Sequence, residues 1–408
     1  MVKMYPSLRI FGYNHYREAE KEYKQRFNSY GSIRTHLVIH PYSIVKQAKE
    51  MHKSYELFVN LIPEILQLFD SLFAASQRIE QLHYSLPPIA LEQLTLNMLI
   101  NEIKSTNDIE GVRSTRKEIN EAIKSKKKVR FTGIVNAYTK VMNADLTKIS
   151  TVEDVRTIYD ALLDEEIEKC SLPDGQWFRK GPVYIGEGNK YVHEGVNGEQ
   201  NIIDHLNQLI LYMNKEGAYF IKACVTHYFF EYVHPFYDGN GRMGRYLLSA
   251  YLSRKLDHLT GLSVSQAVFS QRSTYEKAFM EASNPRNYGE LTHFVMELLG
   301  IISQGQRNLI QQLEDSKARL DNAEKYLGRL EGNDKEKKLL YILFQDYLFG
   351  VADNYLSNKE LAMMEGLSLS RSKIDRITQK FQEQGLLEKI GQRPITYRLT
   401  PEIIDRLG

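Results

Sequence analysis

The segment His234-Pro235-Phe236-Tyr237-Asp238-Gly239-Asn240-Gly241-Arg242-Met243-Gly244-Arg245 gathers the groups that phosphate chemistry needs. A helix ends at Pro235, and a Gly/Asn-rich loop leads into a new helix. Gly239 and Gly241 let the backbone approach a ligand closely. The free N–H groups that open the next helix favour an anion, most naturally a phosphate. Arg242 and Arg245 are three residues apart, so they share one face of that first turn. Both can add charge-assisted hydrogen bonds to phosphate oxygens. Asp238, at the mouth of the loop, is a hard oxygen ligand suited to Mg²⁺ held between phosphates. His234 lies beside this cradle, and an imidazole with an ordinary pKa of about 6.5 suits a general base at neutral pH. The alternative is a structural corner, with the arginines paired to surface acids and the histidine capping a helix.

Helical periodicity dominates the elements that must position these groups, and strand-like alternation is scarce. Residues 1–50 are polar and Tyr-rich, without a clear pattern. Helical spacing begins near Val45 and continues past Leu82 to Pro87-Pro88. A second amphipathic helix covers 91–104, and residues 107–115 read as a turn or helix boundary. Val183-Tyr184-Ile185 and Lys190-Tyr191-Val192 flank Gly-Glu-Gly-Asn at 186–189, the one hairpin expected before the C-terminus. Helices are expected over 201–214, 219–232 and 241–256, with Phe236 anchoring the loop in the core. A long charged helix covers 298–330 and ends at Gly332-Asn333-Asp334, where a domain boundary is expected.

The tail follows a different grammar. After a first helix, Ser357 with Glu360 forms a capping box for a short helix over 358–365, and Gly366 stops it. Ser370 opens a second helix that runs to Gln384, and two strands then surround Gly391-Gln392-Arg393-Pro394. Helix, helix, turn, helix, hairpin is the layout of a winged helix-turn-helix. The expected organisation is a mainly helical N-terminal region over 1–88, a catalytic domain over 89–332 and the winged helix over 333–408.

Composition limits the function classes. At 408 residues the chain is long enough for two or three domains, and 42% hydrophobic with 25% charged residues is ordinary for a globular protein. A formal charge of +2 gives no bulk attraction to nucleic acid or membrane. Two cysteines, Cys170 and Cys224, do not make a disulfide framework, and Cys224 in its apolar stretch reads as a buried thiol. The N-terminus lacks the apolar core of a signal peptide. The most apolar window, 219–236, carries Lys222, His227, Glu231 and His234 and is too polar to span a bilayer. A cytoplasmic protein is expected.

The 234–245 segment resembles the signature of the Fic (Fido) family, His-Pro-Phe-x-Asp/Glu-Gly-Asn-Gly/Lys-Arg-x-x-Arg, and meets every fixed position. The resemblance is strongest over about residues 90–300. It implies a Fic-type helical bundle with a small hairpin flap, and a protein adenylyltransferase that moves AMP from ATP to a hydroxyl of a target protein, itself included. In the implied roles His234 deprotonates that hydroxyl and Asp238 holds Mg²⁺ on the α- and β-phosphates. Gly239, Asn240 and Gly241 form the anion hole, with Asn240 on the α-phosphate. Arg242 binds the β-phosphate and Arg245 the γ-phosphate. Val183, Tyr184 and Ile185 occupy the place of the family's flap, which holds the target by main-chain pairing. Tyr275 resembles a family tyrosine near the adenine pocket, with a core tyrosine as the alternative.

Upstream, Thr106-Asn107-Asp108-Ile109-Glu110-Gly111 resembles the family's inhibitory motif, Ser/Thr-x-x-x-Glu-Gly/Asn. The resemblance implies that Glu110 pairs with Arg245, takes the room of the γ-phosphate and restrains the enzyme. A glutamate in this place can also help water remove AMP, so a de-AMPylase or another Fic-type phosphotransferase is one alternative, and a DNA-binding regulator with a Fic sensor domain is the other. In the tail, Arg371, Lys373, Arg376 and Lys380 outnumber Asp375 and Glu383 on the expected recognition helix. That balance is compatible with DNA in the major groove and Arg393 of the wing on the backbone. Winged helices also serve as dimer modules, so DNA and a second copy of the chain are both candidate partners.

Overall fold

The computed structural model describes residues 5–407 except 165, 188–189, 352–354 and 365–366. Two compact units are present, one of Met1–Ser76 with Asn101–Gln306 and the other of Gln77–Ile100 with Arg307–Gly408. Helices dominate, as expected, with small antiparallel strand pairs. No described helix is long and apolar enough to cross a membrane.

The first unit is built around the helix Tyr219–Val233, which is buried almost all the way round. A helix that is apolar on every side belongs in a core rather than on its surface. Its neighbours are the helices Glu199–Asn214 and Asn240–Lys255. Thr132–Met142 packs on Asn240–Lys255 and on Val152–Leu162. Thr151 and Asp154 close a capping box at the start of Val152–Leu162, which satisfies N–H groups that the helix itself cannot. Cys224 is a buried free thiol, as its apolar context implied, and Cys170 is exposed.

The N-terminal segment differs from expectation. Ser32–Ile39 pairs antiparallel with Tyr55–Asn60, Tyr42–Ser43 pairs with Ala48–Lys49, and the first helix after them begins only at Pro63. Helical spacing from Val45 was misleading because Leu57, Phe58 and Val59 are all buried. A strand covered on both faces loses its alternation. Its far edge is taken by residues 289–291: Phe58 N–H donates to Gly289 O at 3.3 Å, and Leu291 N–H to Phe58 O at 2.8 Å.

The hairpin expected near 183–192 is present as Tyr184–Glu187 against Lys190–Glu194; Val183 precedes the strand, and its carbonyl accepts from Gly195 N–H at 2.9 Å. The turn residues Gly188 and Asn189 lie outside the described residues. The helix Pro88–Ile109 runs five residues beyond its expected end, and Gly111, at φ 71°, turns the chain after it.

In the second unit, Asn333 caps Asp334–Phe349, and Ser357 caps Asn358–Met363 with Glu360 in a capping box. Arg371–Glu383 follows, then the antiparallel pair Leu387–Gln392 and Ile395–Leu399. Leu339, Phe344, Ile374, Phe381 and Leu399 are buried. The expected stop at Gly366 lies outside the described residues.

Candidate active site

His234 is the first residue after Tyr219–Val233. It adopts a left-handed backbone, φ 52° and ψ 63°, while its N–H still caps the helix by donating to Phe230 O at 2.9 Å. Such a conformation is uncommon outside glycine and persists where its surroundings hold it. Arg179, fully buried, supplies that hold. Its Nε donates to His234 O at 2.8 Å, Nη1 to Gly181 O at 2.6 Å, and Nη2 to Val196 O at 2.8 Å.

The loop that follows is pinned from inside. Phe236 is fully buried and stacks on Tyr159, with ring centroids 3.5 Å apart. The Tyr159 hydroxyl donates to Asp238 O at 3.0 Å. Asn240 closes the loop on itself: its Oδ1 accepts from Phe236 N–H at 2.9 Å, and its Nδ2 donates to Phe236 O at 2.8 Å. The Asn240 side-chain amide is therefore engaged within the loop, and the group of Asn240 left to face an anion is its N–H.

Gly239, at φ 83°, caps the helix Asn240–Lys255. The N–H groups of its first turn have no carbonyl of their own helix to bond. Arg242 and Arg245 are both buried beneath them. Arg242 Nη1 pairs with Glu166 Oε2 at 3.0 Å, and its Nη2 lies 3.8 Å from Asp238 Oδ2. Arg242 Nε and Glu166 Oε1 are buried with no partner among the described residues. Buried polar atoms normally find partners, so this pair of orphans is consistent with a polar ligand.

Arg245 Nε donates to Thr106 Oγ1 at 2.9 Å, and its Nη2 donates to Thr106 O at 3.2 Å and to Glu110 Oε1 at 2.8 Å. Glu110 thus comes from a remote helix end to the first turn of Asn240–Lys255. A Cβ built on Gly241 would collide with its carboxylate. The motif residues of the two segments, 135 positions apart, meet here.

Electrostatics follow from burial. Desolvation, then Arg179, hold the His234 imidazole down to about 4, against a smaller opposing effect of Glu110. The ring is therefore neutral at pH 7 and able to accept a proton. Burial raises Glu110, but Arg245 and then Arg242 outweigh it and keep the carboxyl below its ordinary value. Glu231, one turn before His234, has Oε2 3.6 Å from His234 Nδ1, and burial pushes its carboxyl up to about 8.

Asp238 lies at the mouth of the loop with its side chain 50% exposed, and its Oδ1 accepts from Gly239 N–H at 2.6 Å. Among the described residues no three His, Cys, Asp or Glu side chains form a metal cluster. A single exposed carboxylate beside an anion cradle does fit Mg²⁺, which commonly binds through one or two carboxylates plus substrate phosphates. Tyr275 is buried, and its hydroxyl meets His227 Nε2 at 2.7 Å; the other His227 nitrogen meets Gly244 O at 3.1 Å. Tyr275 therefore sits behind Arg245 within the core. Tyr184 is exposed on the hairpin. Sequence reasoning missed Arg179, Glu166 and Glu231. Of these only Glu231 had a signal, its three-residue spacing from His234 within a helix.

With this geometry established, comparison with known proteins is informative. Residues 149–252 match the Fic/DOC family model, a span that holds the hairpin and the loop but not Glu110. A protein adenylyltransferase Fic from Aedes aegypti is 28% identical over 127 residues, covering 29% of this chain and 23% of that protein. The chain thus spans about a quarter of that relative's length. A Fic family protein from Desulfovibrio desulfuricans G20 superposes with a TM-score of 0.52 at 20% identity, over 84% of this chain and 97% of that one; the two share a fold. A matched family model, a relative and a shared fold agree that residues 149–252 are a Fic/DOC family domain.

Proposed function

We propose that this chain is an adenylyltransferase that moves AMP from ATP to a hydroxyl side chain of a target protein, with Glu110 as a built-in restraint. One observation carries the reading. The Glu110 carboxylate lies at the start of Asn240–Lys255, against Gly241 and bonded to Arg245, where a helix N-terminus attracts an anion. A phosphate would compete for the same N–H groups and the same guanidinium.

In this reading neutral His234 takes the proton of the target hydroxyl, whose oxygen attacks the α-phosphorus of ATP. The bond to the bridging oxygen breaks, and pyrophosphate leaves. The N–H groups of Asn240 and Gly241, and that of Gly239 once Asp238 Oδ1 releases it, stabilise charge on the α-phosphate, Arg242 binds the β-phosphate through its Nε, and Arg245 binds the γ-phosphate once Glu110 releases it. Mg²⁺ held by Asp238 would neutralise charge on the phosphates. Tyr275 supports Arg245 from behind and shapes the nucleotide site indirectly. Val183, Tyr184 and Ile185 hold the target segment by edge pairing. Use of ATP fits a cytoplasmic setting.

A second activity, removal of AMP, is favoured by the electrostatic coupling of Glu110 to His234, since a carboxylate beside the base could orient water. For residues 333–408, the exposed side chains of Arg371, Lys373 and Arg376 on the third helix favour a winged helix that contacts DNA. Salt-dependent retention of DNA by the full chain tests that. The reaction itself is tested with α-labelled and γ-labelled ATP and Mg²⁺. Protein label from the α position alone means AMP transfer; label from the γ position alone means phosphoryl transfer and overturns the proposal.

A further inference from the structure

The first unit holds a cavity of about 830 Å³ that is separate from the loop just described. Its walls are the helix Thr132–Met142, the segment 145–149 and facing sides of Tyr219–Val233 and Asn240–Lys255. Its lining from Asn240–Lys255 includes Gly244, Leu247, Leu248, Tyr251, Arg254 and Lys255, which recur at helical spacing. Gly241 and Arg245 lie on a different face of that helix and do not line it, and neither do His234, Asp238 or Arg242.

The floor and rim differ in chemistry. Ile158, Phe230, Leu247 and Leu248 give an apolar floor. The lining also carries six cations, Lys128, Lys140, Lys148, Lys222, Arg254 and Lys255, against two carboxylates, Asp145 and Asp164. One of those carboxylates is already taken, because Lys128 Nζ pairs with Asp164 at 2.8 Å. Lys222 donates to the carbonyls of Met213 and Lys215, and Lys255 lies over the Tyr219 ring at 4.1 Å. The side chains of Lys140, Lys148 and Arg254 make no hydrogen bond or ion pair to a described residue. Crowding of like charge is already felt: burial, then the Lys255 ammonium, hold Lys222 below its ordinary pKa.

A concave surface lined by one sign of charge focuses the field on whatever enters it. The volume falls within the range of about 300–1,000 Å³ typical of small-molecule sites, which combine an apolar lining with a few polar groups. A bare inorganic anion would leave the floor in water, and a neutral apolar molecule would leave the cations crowded. We infer that this cavity binds a small organic anion with an apolar body, its head at Lys140, Lys148 and Arg254 and its body on Phe230 and Leu247.

The test is calorimetric titration of the full chain with dodecanoate and dodecyl phosphate below their micelle concentrations, with dodecanol and acetate as probes lacking the head or the body. Saturable binding of either anionic amphiphile, with neither control bound, is expected. Lys140→Glu and Arg254→Glu, both at exposed positions, should each weaken it roughly tenfold, the scale of one charge-assisted contact. Leu247→Trp, which fills the floor, should abolish it while leaving the thermal unfolding midpoint in place. A non-hydrolysable ATP analogue with Mg²⁺ should not displace the amphiphile. Absence of binding, equal binding of dodecanol, indifference to all three substitutions, or displacement by the ATP analogue would each overturn the inference.

Discussion

The Glu110 carboxylate accepts from Arg245 at 2.8 Å and shields the first turn of Asn240–Lys255 at Gly241. One contact therefore does two things: it neutralises a buried guanidinium, and it fills an anion site. Removing the carboxylate should act on these in opposite directions. Glu110→Gly takes the carboxylate from Arg245 and leaves it its bonds to Thr106, so stability should fall by about 1–3 kcal/mol, the cost of a buried charged group that loses its counter-ion. Auto-modification should rise, by roughly 5–150-fold if the restraint is worth 1–3 kcal/mol. Unfolding midpoints and α-phosphate incorporation read the two effects. Lower stability without higher incorporation would mean that the pair is only structural.

Arg245→Ala removes the same pair from the other side but also removes the proposed γ-phosphate contact. It should be weakly active with or without Glu110, so the double variant should match Arg245→Ala. Such non-additivity marks residues that act through each other. Additive changes across the four proteins would dismiss a restraint that works through Arg245.

How much of this was legible in the chain depended on locality. The loop from His234 to Arg245 could be read because its groups are neighbours, and its helix boundaries were marked by Pro235 and Gly239. Phe236 behaved as the core anchor its apolar type suggested. The Ser32–Ile39 strand alternates buried and exposed positions, but exposed Val38 is as apolar as its buried neighbours Leu37 and Ile39, so the residue types hide the period of two. Arg179 was invisible for another reason. Its partners are carbonyl oxygens of His234, Gly181 and Val196, which every residue possesses and no sequence pattern marks. Glu166 likewise meets Arg242 from 76 positions away.

Arg179 lends itself to a stability prediction. Truncation to Ala would leave at least three carbonyls, that of Val196 buried, without their donor and release the backbone of His234. A loss of about 2–5 kcal/mol is expected, within the range for a broken buried network. Arg179→Lys, a point donor on a flexible stem, should recover only part of it. Chemical denaturation of the three proteins measures both; a midpoint shift near zero for Arg179→Ala would show that the loop is held by Phe236 and Asn240 instead.

Asp238 should betray its part through the metal. Asp238→Ala should weaken Mg²⁺-dependent incorporation far more than binding of nucleotide without metal, because its carboxylate acts through the ion. Its side chain is half exposed, so the fold should tolerate the change. Titrating Mg²⁺ against both proteins gives the answer, and identical metal dependence would remove Asp238 from the site.

The pH dependence of His234 separates a base from a structural cap. Its folded pKa of about 4 lies below the value of about 6.5 expected in the unfolded chain. Folding therefore favours the neutral ring. The stability this contributes is complete above about pH 6.5 and is lost as pH falls from there towards 4. Activity should follow the neutral ring as well, so kcat/KM for auto-modification should hold through pH 6, where an ordinary histidine would be substantially protonated, and fall only nearer 4–5. The profile is best taken on Glu110→Gly, where the restraint is absent. Glu110 raises the His234 pKa, so its removal should move the acid limb lower still, not higher. His234→Ala should abolish incorporation at every pH while retaining the fold, checked by circular dichroism across the same range. An acid limb centred near 6.5, or incorporation that survives His234→Ala, would make another group the base and leave His234 as the cap of Tyr219–Val233.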